Sequence, residues 1–426
     1  MAVALVMGNM IGSGIFLLPA SLAPYGGLSL AGWLVSGAGA LALAAVFARL
    51  ARIHPAAGGP YAFTRAAFGD LPGFLVAWGY WISICTSLGA LAVAFVSYLT
   101  HFFPILAHSS TRAASTAIGA VWLVVAINLR GLRAAGWTQA VTTVLKVVPL
   151  ALVGIAGLFW YDGTHFAPPS DDLRAIAGSI PAVTALTLWA FLGLESATVP
   201  AASIRDPDRT IPLATLTGTA VTALVYIVST VGIMSVLAPA VLAASTAPFA
   251  DAARQIAGPV AAAAVAAGAA ISCFGALNGW TLLAGQVPLA AARDSLFPAL
   301  FARTAEGETP VAGVVIAGLV ASALVLANYT RGLVELFTFL ILLSTLHTLV
   351  PYAFSSLAVF LIPAAPRAPL STVMAATALG AFVYSLWAMG GAGQETVYWG
   401  FLLLMAGLPV YVMMVSRRRP PASTRG

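Results

Sequence analysis

The chain has 426 residues, of which 61% are hydrophobic and 8% charged, with a formal net charge of +6. A soluble domain carries roughly 25% charged residues, so a water-facing globular protein is excluded. The two cysteines, Cys85 and Cys273, both fall in apolar runs, which excludes a disulfide framework or a cysteine metal site.

What remains is an all-α polytopic membrane protein. Twelve segments approach the ~20 apolar residues that span a bilayer. They lie near 1–21, 28–48, 72–99, 113–129, 137–160, 179–200, 211–237, 258–287, 310–328, 332–362, 370–390 and 394–416. No connection between them is long enough to fold alone, so residues 1–426 read as one membrane domain.

The first segment holds "GNMIGSGIF" (8–16), where Gly8, Gly12, Ser13 and Gly14 crowd poor helix formers into the middle of a span. A broken helix is predicted there. The segment has no basic leader, so it is a span and not a signal peptide. Its first half has about eleven residues and no preceding tail, which points to a natural start upstream or a trimmed chain. In the fifth segment lies Lys146, the only lysine of the chain. Inside a span it is a proton-sensitive group or a fixed replacement for a metal cation, the alternative being snorkelling to the interface. The sixth segment, "ALTLWAFLGLESATVP" (185–200), carries Trp189, then Gly193 at mid-span, then Glu195, the one acid near the middle of a span. An ionisable group at that depth is a functional candidate. Trp280 follows "FGALNG" in the eighth segment, and tryptophan faces attract cations. His347 in the tenth reads as a hydrogen-bonded core histidine.

Interrupted spans one and six, five segments apart, point to two inverted repeats, 1–160 and 179–362, with a binding site near the midplane. Residues 370–416 add two helices and 417–426 a basic cytoplasmic tail. The alternative is that these glycines only permit close helix packing. A half-helix starting after Ser13 presents free N–H groups and partial positive charge to a carboxylate, and carbonyls freed at the sixth-span break suit an ammonium. Both ends together suit an α-amino acid head. Of the 19 basic residues, 14 fall on even-to-odd connections and the C-terminal tail, and only Arg112, Arg174, Arg254 and Arg331 on the other side. By the positive-inside rule both termini are cytoplasmic, so the basic charge encodes topology and nucleic acid is not a partner. No series of polar rings suits a channel. No clustered His, Asp or Cys suits an enzyme, a metal or another cofactor. A transporter fits.

Five stretches carry a family resemblance: "IGSGIF" (11–16), "PAAGGPYAFTRAAFG" (55–69), "LWAFLGLESA" (188–197), "RDPDRTIPLAT" (205–215) and "AARDSLFPALFARTAEGETPVAG" (291–313). In this order they resemble the amino acid–polyamine–organocation superfamily, from the first segment to the last. "GWTLLAGQ" (279–286), "APFADAAR" (247–254) and "FFPIL" (102–106) are most similar to its basic amino acid/polyamine antiporters of arginine/agmatine type. The resemblance implies ten core helices in two inverted repeats plus two more, in a homodimer in the bacterial inner membrane. It implies that Gly12, Ser13 and Gly14 hold the substrate carboxylate, and that Ile11 and Leu192 offer carbonyls to the α-amino group. Trp189 would be the outer gate, and Trp280 would stack on the cationic side chain. Tyr80, Glu195 and Tyr352 would form the inner barrier, with Ser344 nearby. Where arginine/agmatine antiporters place Asn and Cys against the guanidinium, this chain has Leu88 and Ile84, with Ser83 beside them. Lys146 matches proton-coupled members that carry neutral amino acids. Two readings therefore stand: an amino acid/polyamine antiporter working by alternating access, or a proton-coupled transporter of neutral amino acids.

Overall fold

A computed structural model describes residues 2–55, 58–130, 146–167, 172–199, 204, 206–304, 310–363 and 370–418. Arg133, Arg205, Arg367, Arg419 and Arg425 of the arginine-rich side lie outside the described residues, as does the Ser13 side chain. Among the described residues there is no strand. In lipid the backbone must satisfy its own hydrogen bonds, and these apolar runs do so as helices.

Each of the twelve expected spans falls on an apolar helix, eight of them long enough to cross a membrane and four shorter. The first is split into α1 (Ala2–Met10) and α2 (Ser13–Leu22), and α3 (Leu28–Ile53) follows. A short, half-buried helix, α4 (Pro60–Phe68), precedes α5 (Asp70–Leu99) and α6 (Ser110–Leu129). The described part of the fifth span is α7 (Lys146–Trp160). Next come α8 (Leu173–Trp189), α9 (Pro207–Val236), the short α10 (Pro239–Ala244) and α11 (Pro248–Arg293). The last five are α12 (Val311–Ala327), α13 (Leu333–Leu361), α14 (Thr372–Gly390), α15 (Gln394–Met405) and α16 (Leu408–Arg418).

Two of the differences from the expected spans have a clear local reason. α11 starts ten residues earlier than the expected span, but Ala257 and Gly258 leave helical geometry, Gly258 at φ +84°, so a separate half-buried arm precedes the span proper. The twelfth span is interrupted between Met405 and Leu408. Ends are closed by local caps: Asp172 Oδ1 accepts from Arg174 N (2.9 Å) at α8, and Ser371 Oγ from Met374 N (3.2 Å) at α14.

α5 is the axis of the bundle. It is the most buried long helix, packed between α13 and α11, while α3 lies on α8 and α9. α14 to α16 are the least buried spans and turn rows of Leu, Val and Trp outward, as lipid-facing helices do. The centre of the molecule is thus bounded by α1/α2, α5, α8, α11 and α13.

Candidate functional site

Both expected breaks are present, and they pack on each other. α1 ends at Met10; Ile11 N still donates to Met7 O (2.7 Å), but Gly12 N turns to Met10 O (2.9 Å) and α2 starts afresh at Ser13. The first N–H groups of α2 therefore begin at the middle of the bundle, without intrahelical partners. α8 ends at Trp189, and the chain continues in tight turns: Leu192 N to Trp189 O, Ser196 N to Gly193 O, Thr198 N to Glu195 O. Gly193 sits at φ +99°, a region that L side chains rarely adopt, and a β-carbon there would come within 3.1 Å of Asn9 Cβ. Gly14 faces the other break so closely that a β-carbon would lie 3.1 Å from Ala190 Cα and 3.2 Å from Trp189 Cδ1.

Unwinding frees carbonyls at the end of α1, and three side chains from three other helices take them. Lys146 Nζ on α7 donates to Gly8 O (3.1 Å), Trp280 Nε1 on α11 to Asn9 O (3.4 Å) and Tyr226 Oη on α9 to Met10 O (2.7 Å). Tyr226 Oη also lies 3.0 Å from Ala190 O, so one hydroxyl serves a carbonyl from each break. Its ring is held by Trp33 and Phe191, with centroids at 5.2 and 5.6 Å. Tyr226→Phe removes one oxygen and leaves both carbonyls without that donor. It is expected to cost about 1–3 kcal/mol, read as a lower thermal midpoint together with weaker substrate binding. A variant with wild-type midpoint and affinity would show that the breaks do not depend on this hydroxyl.

A narrow cavity, with room for about one water molecule, lies where the breaks meet. Its walls are Asn9, Met10, Gly12, Gly14, Leu91, Trp189, Leu192 and Trp280. Five of these were expected from sequence; Asn9, Met10 and Leu91 were not. Ile11, fully buried, lies at the same break. Trp189 Nε1 is a buried donor with no hydrogen-bond partner among the described residues. Ile84 and Leu88 are fully buried in α5 and do not border the cavity.

Further along α5, Tyr80, Glu195 and Tyr352 come together. The Tyr80 hydroxyl donates to Glu195 Oε1 and the Tyr352 hydroxyl to Oε2, all three residues fully buried. One carboxylate thus bridges α5, the sixth-span break and α13. Ser83 and Ser344 also meet, 2.9 Å apart, between this bridge and the cavity level. Lys146 does not snorkel: it is fully buried, and its amine closes the C-terminal end of α1, where the helix dipole favours a cation. His347 is a buried core residue whose Nδ1 lies 2.8 Å from Leu343 O.

Residues 1–388 match the family described as Amino acid permease. The chain is 37% identical over 366 residues to a cadaverine/lysine antiporter of Escherichia coli (strain K12), covering 82% of this chain and 80% of that one. It is 31% identical over 417 residues to the putrescine transporter PotE of the same strain, covering 97% and 94%. Against the putrescine transporter PotE of Haemophilus influenzae the identity is 32% over 416 residues, covering 96% and 94%.

Proposed function

The chain belongs to the amino acid permease family, and on that premise we propose that it is an antiporter exchanging a cationic amino acid for an amine by alternating access. The observation that carries this reading is the meeting of two broken spans at one cavity walled by Trp189 and Trp280. The N-terminus of α2 suits a carboxylate, the indole faces suit a cation, and the unpartnered Trp189 Nε1 is a donor for the bound molecule. Ile11, Gly12, Ser13, Gly14 and Leu192 are assigned to the amino acid head, Trp189 to the outer gate, and Tyr80, Glu195 and Tyr352 to the inner one. The relatives named for lysine, cadaverine and putrescine support an amino acid/polyamine substrate. Arginine-for-agmatine exchange is the nearest precedent by motif. Two inverted repeats, the inner membrane of a bacterium and cytoplasmic termini complete the proposal.

An exchanger must reorient only when occupied, so the bound substrate has to favour the state on the way across. Labelled arginine or lysine is expected to enter proteoliposomes loaded with agmatine, cadaverine or the amino acid itself, and not empty ones. Leucine or alanine accumulating in empty vesicles under an inward proton gradient would overturn the antiport reading.

That second reading, proton-coupled transport of a neutral amino acid, is favoured by the complete burial of Lys146. Lys146→Met removes the bond to Gly8 O. Hydrogen bonds to charged groups contribute about 1.5–3 kcal/mol, so exchange is expected to fall roughly tenfold or more, with its pH dependence retained. Transport that loses its pH dependence in this variant would favour coupling through Lys146.

A further inference from the structure

Away from the cavity, α6 and α11 share a pair of buried amides. Asn128 Nδ2, near the end of α6, donates to Asn278 Oδ1 on α11 (2.9 Å) and to Val124 O of its own helix (2.8 Å). The second bond locks the Asn128 amide to α6, so it offers Asn278 a donor at a fixed place. Asn128 Oδ1 and Asn278 Nδ2 are buried and have no hydrogen-bond partner among the described residues. Two amides can exchange two bonds, and this pair makes one.

Polar groups between membrane helices often do no more than join them. As a join this pair is poor, since half of each amide is buried without a partner. Replacing both partners with apolar groups of similar shape can be neutral or stabilising. What the pair supplies is direction. Asn278 lies two residues before Trp280, about 200° around the helix, so the two side chains leave α11 on nearly opposite faces. Trp280 walls the cavity, and its Nε1 donates to Asn9 O (3.4 Å). Ala276, one turn before Trp280 on the same face, meets the first break, where a β-carbon on Gly12 would lie 3.0 Å from Ala276 Cβ.

Height and roll of α11 are held by different contacts. Trp81 Nε1 on α5 donates to Ala284 O (3.1 Å). Helix carbonyls point roughly along the axis, so this bond resists sliding more than rotation. The Asn278 amide stands out radially, and its bond to a locked partner resists rotation. A roll of about 20° would carry a side-chain tip, about 5–6 Å from the axis, through about 2 Å. A binding group must be held to about 0.5 Å, so the roll decides whether the indole face meets its ligand.

We propose that Asn128 and Asn278 are positioning residues, which fix the roll of α11 and so keep the Trp280 indole turned to the bound molecule. The proposal rests on the reading of Trp280 as a wall of the substrate site and adds what holds it there.

The test is equilibrium binding of labelled arginine, lysine and leucine to the purified protein, read beside the thermal midpoint. Wild type, Asn128→Leu, the double variant Asn128→Leu/Asn278→Leu, Trp280→Phe and the triple variant are compared. Asn128→Leu leaves the Asn278 amide wholly unpaired and should lower both midpoint and affinity. The double variant removes both amides and should regain the wild-type midpoint, yet bind its best probe about tenfold more weakly. Trp280→Phe should weaken binding by a similar factor. The triple variant should bind no more weakly than Trp280→Phe, because the pair acts through that indole. A double variant with wild-type affinity has lost only a packing contact and overturns the proposal. Additive losses in the triple variant also overturn it, since the amides would then act by another route. Wild-type affinity in Trp280→Phe takes Trp280 out of the site, and the proposal falls with that reading. A wild type that binds leucine alone overturns the cationic substrate of the exchange reading, and the same variants then decide the positioning role on leucine.

Discussion

Glu195→Ala is expected to lower exchange roughly 100-fold. Two hydroxyls, Tyr80 on α5 and Tyr352 on α13, donate to its two carboxylate oxygens and tie both helices to the sixth-span break. Alanine leaves both phenols buried and unpaired, at about 1–3 kcal/mol each, and removes the tie between α5, the sixth-span break and α13. Glu195→Gln is expected to fall between alanine and wild type. Its amide oxygen still accepts from one tyrosine, but its NH2 forces the other to reverse and accept. Exchange rates in proteoliposomes, measured beside substrate binding to the purified protein, separate a failed gate from a failed fold. Wild-type exchange by Glu195→Ala would remove Glu195 from the gate.

The second large effect is expected at the arginine-rich face, where α4 acts as a clasp. Arg65 Nη1 lies 2.8 Å from Asp294 Oδ2, beyond the end of α11, and its Nε lies 2.9 Å from Asp70 Oδ1, at the start of α5. The Tyr61 hydroxyl donates to Asp294 Oδ2 (2.7 Å), and Gly58 N donates to Val199 O (3.2 Å), four residues past Glu195. α4 and the residues before it thus join the end of α11 to the start of α5 and to the chain past the sixth-span break, the last two of which carry the proposed inner barrier. The ion pairs are about one-third exposed, so their loss costs little global stability. A conformational equilibrium is more sensitive, since about 1.4 kcal/mol moves it tenfold. Asp294→Asn weakens the contacts to Arg65 and Tyr61 and is expected to shift the protein toward the state open at this face. Substrate KM should then fall when measured from this side and rise, roughly fivefold to tenfold, from the other. Equal KM changes on both sides would show that the clasp does not bias access. Burial, followed by the hydrogen bond to Asp294, raises the pKa of the Tyr61 phenol above its ordinary value of about 10. The contribution of such a raised pKa is complete below the ordinary value and is lost only as pH rises above it toward the raised one. Tyr61 therefore adds no pH dependence near neutrality.

Much of this architecture was legible in the sequence because hydropathy and helix breaking act locally. The twelve spans follow from apolar length, and the breaks from glycines set where a span should be continuous. Glu195 stood out as a lone acid at mid-span, and Lys146 as a lone lysine. What sequence reasoning missed are residues whose type is ordinary and whose partners are remote. Tyr226 sits in "VTALVYIVST" like any membrane tyrosine, and only the fold brings it to Met10 and Ala190. Asn128 and Asn278 are single amides in apolar runs until α6 and α11 are laid side by side. The arm at the start of α11 was hidden because the kink at Gly258 lies at the edge of the apolar run, where boundaries blur by several residues. Asn9 could have been found from the first break, since it lies in α1 just before it; Leu91 emerges only once α5 is packed against that break.

Tyr226 has a consequence for how such a chain can change over generations. It lies in the second half, yet its single proton is shared between a carbonyl of the first span and one of the sixth. A substitution that shifts either carbonyl alters what is left for the other, so the halves cannot drift independently around this point. Chimeras that join the first five spans of one relative to the rest of another should inherit that constraint. Swaps that keep a tyrosine at this position and small residues at both breaks are expected to stay folded, and those that alter one half alone are expected to misfold.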